Sequence, residues 1–373
     1  MALAEQRRTD TRQDDPRDWL RLIRSRRIGP ATFHRLLSEH GSVAAALAAL
    51  PEIALAAGVE NYELCPLGVV LAEIKQARAA GAVMLRWGEG AYPAVLQEIS
   101  DAPPVLWAQG DVSLLARPMV ALVGARNASS LGLRMARRLG EGLGAAGLVV
   151  VSGLARGVDA EAHQAALMTG TVAVQAGGVD HVYPAENARL AVAIAEQGCR
   201  VSEQPMGMEP QSRHFPMRNR IIAGLARAVV VVEAAAKSGS LITAEAALEQ
   251  GREVFAVPGH PFDARAAGCN RLIRDGAMLV RGAQDILEAL QIGPKRAAVE
   301  KPAPAVVPDR RSFKDMAALH SQILSRLGPS PLAEDQLIRD LDVPAALVTP
   351  ELVVLELDGR ILRQSGGLLS RVT

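Results

Sequence analysis

Four arginines, Arg213, Arg218, Arg220 and Arg227, crowd the approach to an apolar run at residues 228–232, and a Lys237-Ser238-Gly239-Ser240 turn follows that run. A guanidinium binds phosphate through two parallel hydrogen bonds, and the free amides at a helix start attract anions. If the run is a buried strand and the turn opens a helix, these groups meet at the carboxyl end of the strand. Open α/β sheets hold their ligands there. The chemistry is binding of anionic oxygens, and the array suits a phosphate backbone. One arginine near a helix start is commonplace, but Arg218-Asn219-Arg220 followed by a basic turn after the very next strand is hard to explain as solvation. Some of these groups would serve the fold instead, Asn219 as a cap and one arginine as the partner of Glu203 or Glu233.

Two earlier strand ends carry related groups. Val123-Gly124-Ala125-Arg126 closes the run 119–123 without the G-x-G-x-x-G fingerprint of a dinucleotide site. Arg126 offers a guanidinium, and Ser129 or Ser130 can cap the helix that follows. Ser152-Gly153 ends the run 148–151 and either touches a ligand or simply makes the turn, while Asp159 reads as a helix N-cap. Catalytic signals are poorer. His163, His181, His214 and His260 lack metal-ligand spacing, and neither a G-x-S-x-G elbow nor a G-x-x-x-x-G-K-[ST] loop occurs. Glu233 is the best lone carboxylate, with pairing to a nearby arginine its stronger reading. The expectation is a binding protein and not an enzyme, with no metal and no cofactor.

The elements that must position these groups follow from apolar periodicity. Strand-like runs at 119–123, 148–151, 172–175, 228–232 and 254–257 alternate with amphipathic helices near 131–146, 159–168, 187–197 and 241–250, and residues 200–202 are short and extended. Continuous Val, Ile and Ala strands between helices predict a parallel sheet covered on both faces. Residues 87–107 read as an irregular connector into this sheet. Before it, helical pattern surrounds Ile28-Gly29-Pro30, a turn that resembles a helix-hairpin-helix unit; such a turn either packs helices or holds a DNA phosphate. After the sheet, prolines at 294, 302, 304 and 308 mark a linker. Three helices, near 316–327, 333–341 and 350–357, and a ribbon turning at Gly366-Gly367 then suggest a winged helix. The division is a polar tail over 1–16, a helical domain over 17–85, the sheet domain over 86–290, a linker over 291–312 and the small module over 313–373.

Composition narrows the class. Aromatic residues are 3% of the 373, which argues against a single-strand site built from many stacking platforms. The formal net charge of +1 requires any nucleic-acid site to be a local patch. Cys65, Cys199 and Cys269 are far apart in sequence, consistent with a reducing, cytoplasmic compartment. No signal peptide or membrane-spanning run is read.

The ordered motifs Val123-Gly124-Ala125-Arg126, Ser152-Gly153-Leu154-Ala155-Arg156-Gly157-Val158-Asp159, Gly177-Gly178-Val179-Asp180, Phe215-Pro216-Met217-Arg218-Asn219-Arg220, Ser238-Gly239-Ser240-Leu241-Ile242-Thr243-Ala244 and Val257-Pro258-Gly259 resemble those of the DNA-processing protein A family (DprA/Smf). The resemblance is strong over about residues 92–290 and weak at both ends. It implies a Rossmann-like domain that binds single-stranded DNA, a SAM-like helical N-terminal domain and a winged-helix-like C-terminal domain. It also implies protection of incoming strands in natural transformation, loading of the recombinase RecA, and a homodimer formed through the Rossmann-like domain. The DNA contacts it implies are Arg126, the basic stretch at Arg213 before Phe215, and the turn Lys237, Ser238, Gly239 and Ser240; the residue chemistry above adds Arg218, Asn219, Arg220, Ser152 and Gly153 as candidates. Phe215 is either a base-stacking platform or a core side chain.

A rival of another class is a nucleotide phosphoribohydrolase of the lysine-decarboxylase-like family. Its P-G-G-x-G-T-x-x-E loop would fall at residues 236–245, where the double Gly is missing and Glu245 is off register. A transcription regulator has less support, because residues 350–357 carry Glu351 and Glu356 and no cation.

Overall fold

The computed structural model describes residues 14–292, 313–327, 332–341, 343–364 and 368–372. Residues 1–13 of the expected tail over 1–16, residues 293–312 of the expected linker over 291–312, and the turns at 328–331 and 365–367 lie outside the described residues. The chain divides into two compact units, residues 1–296 and 297–373.

The first unit opens with four helices, α1 (Pro16–Arg24), α2 (Pro30–His40), α3 (Val43–Ala56) and α4 (Leu67–Ala79). Asp15 caps α1 by accepting from the Arg17 amide at 2.8 Å, and Pro16 takes the first helical position, where no amide hydrogen is needed. Trp19, Phe33, Leu36 and Val70 form the core of this bundle.

The sheet follows, in the order β1-β2-β6-β5-β4-β3-β7-β8-β9. Its strands are β1 (Val83–Arg86), β2 (Val105–Gly110), β3 (Met119–Val123), β4 (Val149–Ser152), β5 (Thr171–Val174), β6 (Cys199–Ser202), β7 (Ala228–Val231), β8 (Glu253–Ala256) and β9 (Met278–Leu279). From β6 to β9 every pairing is parallel. The helices between them are α5 (Ser130–Ala145), α6 (Val158–Ala166), α7 (Ala188–Gln197), α8 (His214–Leu225), α9 (Gly239–Glu249), α10 (Ala267–Arg274) and α11 (Ala283–Ala289). Both faces are covered, so β3 is buried along its whole length: Ala121 and Val123 pack into the core on one face, and Val120 and Leu122 into the core on the other.

Two parts of this unit depart from the expectation. Residues 83–110 are not only a connector, because β2 pairs antiparallel with β6, and β1 with β2. Val105 and Trp107 bury against the helical bundle while Leu106 and Ala108 bury in the sheet core, so no polar alternation marks the strand. Helix α8 was not expected between Arg213 and Leu225. It is buried on most sides, so its apolar periodicity is blurred, and Pro216 in its first turn reads as a breaker in sequence.

One carboxylate fastens the helical bundle to the sheet. Glu73 of α4, 5% exposed, accepts from Arg24 Nη2 at 2.8 Å and from the Trp107 indole at 2.7 Å.

The second unit has α12 (Phe313–Arg326), α13 (Glu334–Leu341), α14 (Ala345–Leu357) and a sheet β10 (Leu332–Ala333), β11 (Ile361–Gln364) and β12 (Leu368–Arg371) in the order β10-β12-β11. Ile323, Leu337, Leu352 and Leu369 form its core. The last helix begins five residues before Pro350, which lies inside it. Among the described residues no helix is long and apolar enough to cross a membrane.

Two expectations concern stability. Glu73→Ala strands a buried guanidinium and an indole N–H, and should cost about 3–5 kcal/mol in denaturant unfolding. A loss below about 1 kcal/mol would mean that Glu73 does little to hold the bundle to the sheet. His163 is fully buried on α6 and donates from Nδ1 to Thr171 Oγ1 at 2.7 Å, while that hydroxyl donates to the Val150 carbonyl. Burial first, then the charge of Arg218, pushes the imidazole down to about 3 from 6.5. Between these values the unfolded chain holds the extra proton, so stability rises with pH through the window and is lost as pH falls from 6.5 toward 3. Going from pH 7 to about 5, the wild type should lose about 2 kcal/mol more than His163→Gln. Parallel pH profiles would remove His163 as the cause.

Candidate nucleic-acid interface

The sheet reverses its winding between β3 and β7, because β4, β5 and β6 extend from one side of β3 while β7, β8 and β9 extend from the other. A crevice must open at the carboxyl ends of such a pair. It is a cavity of about 640 Å³, lined among others by Arg126, Phe215, Arg218, Lys237, Ser240 and Arg265.

The loop after β3 forms one wall. Ala125 N donates to the Glu233 carbonyl at 2.7 Å, and Val158 N donates to the Ala125 carbonyl at 3.2 Å. Gly157, at φ 73°, keeps that approach open, since an added Cβ would meet the Ala125 oxygen at 2.3 Å. Arg126 then projects outward, exposed, with its guanidinium carbon 5.1 Å from the centre of the Phe215 ring. The ring of Tyr183 lies 5.7 Å from that of Phe215.

The turn after β7 forms the opposite wall. Ser238 caps α9 and shares a 2.8 Å hydrogen bond with the Ser240 hydroxyl. Asn219 Nδ2 donates to the Gly239 carbonyl at 3.4 Å. Lys237 is exposed, and among the described residues neither it nor Arg126 has a carboxylate partner.

The floor is Arg218, 6% exposed. One of its Nη atoms donates to the carbonyls of Gly153 and Val174, at the ends of β4 and β5. Burial pushes this guanidinium down to about 10, and Asp159 opposes that shift, so it stays a cation at neutral pH. Burial likewise pushes the Asp159 carboxyl up, with Arg218 opposing.

Several expected groups lie elsewhere. Ser152 is fully buried, with its hydroxyl donating to the Leu122 carbonyl at 2.6 Å as a strand cross-link. Gly153 lies behind Arg218 and lines a smaller neighbouring cavity. Arg220 is bound to Glu203 and Asp101, away from the crevice. Arg213 is exposed just before α8 and does not line the cavity, although its Nε contacts His214 Nε2 at 3.3 Å. Arg227 lies at the amino end of β7, opposite the crevice. Asp159 is not the N-cap of α6, a position Gly157 takes; its carboxylate instead accepts from the Gly153 and Ala155 amides. Among the described residues Glu233 pairs with no arginine; it accepts from the Ser129 amide at 2.9 Å and from its hydroxyl, while Ser129 caps α5. Arg265 lines the cavity without having been expected: it comes from the loop after β8 and no motif marked it. Among the described residues no group of His, Cys, Asp and Glu could hold a metal ion.

Three family models match the chain. That of the DNA recombination-mediator protein A covers residues 83–291, that of the DprA-like N-terminal HHH domain covers 13–76, and that of the DprA winged helix domain covers 300–367. The DNA processing protein DprA of Bacillus subtilis (strain 168) is 48% identical over 202 residues, 53% of this chain and 68% of that protein. The X-ray structure of DprA from Streptococcus pneumoniae superposes with a TM-score of 0.55 at 36% identity, over 70% of this chain and 98% of that one. The DNA processing protein A of Helicobacter pylori, whose structure gives insight into its single-stranded DNA binding mode, superposes with a TM-score of 0.52 at 29% identity, over 56% of this chain and 95% of that one.

The two glycines of the site should behave oppositely. An added Cβ at Gly153 would lie 2.0 Å from Arg218 Nη1, whereas at Gly239 it would meet no atom within 4 Å. Gly153→Ala should destabilise by about 1–3 kcal/mol in denaturant unfolding. Gly239→Ala should stay within about 0.5 kcal/mol of wild type. Equal stabilities would mean that Arg218 can leave its seat without cost.

Proposed function

The chain belongs to the DNA recombination-mediator protein A family, and on that premise we propose that it binds single-stranded DNA in the crevice between β3 and β7, protects incoming strands in natural transformation and recombination, and delivers them to the recombinase RecA. One observation carries the reading: Arg126, Arg218 and Lys237, drawn from three separate chain segments, line one cavity beside the first turn of α9. In this reading Arg126 and Lys237 neutralise successive phosphates and release their counterions. Arg218, too buried to follow a moving strand, supplies a fixed positive field. Ser238, Ser240 and the first amides of α9 set the phosphate register. Phe215, half-buried between Arg126 and Tyr183, offers a face on which a base can stack. Gly239 has no positive φ and no neighbour crowding it, so the space beside its Cα is open to close approach of a ligand.

Action as a homodimer through the Rossmann-like domain and delivery to RecA belong to this proposal on the strength of the family. The phosphoribohydrolase reading has less support, since Glu245 is exposed on α9 and does not line the cavity.

The test is a salt-titrated binding comparison. Arg126→Ala combined with Lys237→Ala should weaken binding to all single-stranded sequences alike, because phosphate contacts carry no sequence information. The slope of log K against log salt should fall by about 1.4, or 0.7 for each lost phosphate contact. Unchanged affinity in the folded double variant would overturn the reading.

A further inference from the structure

A second cavity of about 430 Å³ lies beside the first. The same two segments border both: Asn127 and Arg265 line the first, and Ser129 and Asp263 line the second. The start of α5 and the loop after β8 therefore form a low ridge between them.

Arg134 and Arg138 of α5 line this second cavity. They are four residues apart, so they share a helix face and are separated by about 6 Å along its axis. Both are exposed, and among the described residues neither has a hydrogen bond or an ion pair. Arg137, between them in sequence, is by contrast tied to Glu161. The carboxylates of the cavity are already engaged, Glu233 by the Ser129 amide and hydroxyl and Asp263 by Arg265 at 3.1 Å. The two cations are thus left uncompensated over a wall of Leu131, Met135 and Pro258. Between His260 and Asp263, which line the cavity, Phe262 is 95% exposed, its ring 5.6 Å from that of His260. A phenyl ring in that position adds nothing to a core and presents an open π-face. Cys269 at the base is buried, and burial pushes its thiol up to about 11, so the cavity holds no ready nucleophile. Cations at the spacing of successive phosphates, apolar walls and one free aromatic face make a binding surface for a nucleotide chain.

We propose that this second cavity is a further single-stranded-DNA subsite, where Arg134 and Arg138 hold two phosphates of a strand that has crossed the ridge from the first cavity and Phe262 stacks one base. The inference rests on the reading of the first cavity given above.

The test compares the full-length wild type with Arg134→Ala/Arg138→Ala and with Arg126→Ala/Lys237→Ala, each titrated with oligothymidylates of about 5 and about 15 residues. The first variant should bind the long strand about tenfold or more weakly, with a salt slope lower by about 1.4, and should bind the short strand like wild type. In Phe262→Trp, whose new indole lies between two residues that line the cavity, the long strand should quench the added emission and the short strand should not. If Arg134→Ala/Arg138→Ala binds both lengths like wild type while Arg126→Ala/Lys237→Ala loses both, the second subsite is overturned and the first stands. If Arg126→Ala/Lys237→Ala also binds like wild type, both fall.

Discussion

A guanidinium with almost no access to water sets the geometry of the crevice. Arg218 sits beneath the ends of β4 and β5 and holds the Gly153 and Val174 carbonyls, with Asp159 as its nearest opposing charge. A cation so buried is tolerated because Nη1 meets two carbonyls and a carboxylate acts on it, although its Nε has no partner among the described residues. Each neighbour then follows. Residue 153 must lack a side chain, because a Cβ would occupy the place of Arg218. Asp159 must turn its carboxylate toward the 153–155 turn and not outward as a cap. Helix α8, anchored at Arg218, is held against the strand ends, and this brings Phe215 beneath Arg126.

The flanking walls divide the work differently. Arg126 and Lys237 are exposed and, among the described residues, lack carboxylate partners, so they can exchange water and counterions for phosphate at little cost. Arg220, only two residues from Arg218, has two carboxylates and serves as a strut. Arginines in one short stretch thus take opposite roles. The choice depends on which side of α8 each one leaves, since positions two apart on a helix do not share a face.

The helical bundle joins the sheet through a comparable device. Glu73 gathers the Arg24 guanidinium and the Trp107 indole, and β2 is buried on both faces, between the bundle core and the sheet core. The antiparallel edge made by β1 and β2 moves the open edge of the parallel sheet away from β6. An unpaired β6 would present a row of free backbone groups.

Much was legible in the sequence, for physical reasons. Runs such as 119–123 and 228–232, short, apolar at every position and rich in Val, fit strands buried on both faces, and Gly, Ser and Arg at their carboxyl ends mark where a doubly wound sheet binds. Arg126 and the Lys237 turn were found in this way, because short-range order alone carries them to the crevice. Helix α8, strand β2, the strut role of Arg220, the turn-holding role of Asp159 and the arrival of Arg265 were not legible. Each depends on what lies across a face or beyond a long loop, and periodicity records only one chain's own turn of helix or strand. The sequence by itself determined which groups could meet an anion. Tertiary structure decided which of them remain free to do so, because a charge is available to a ligand only when the fold leaves it without a partner and within reach of water.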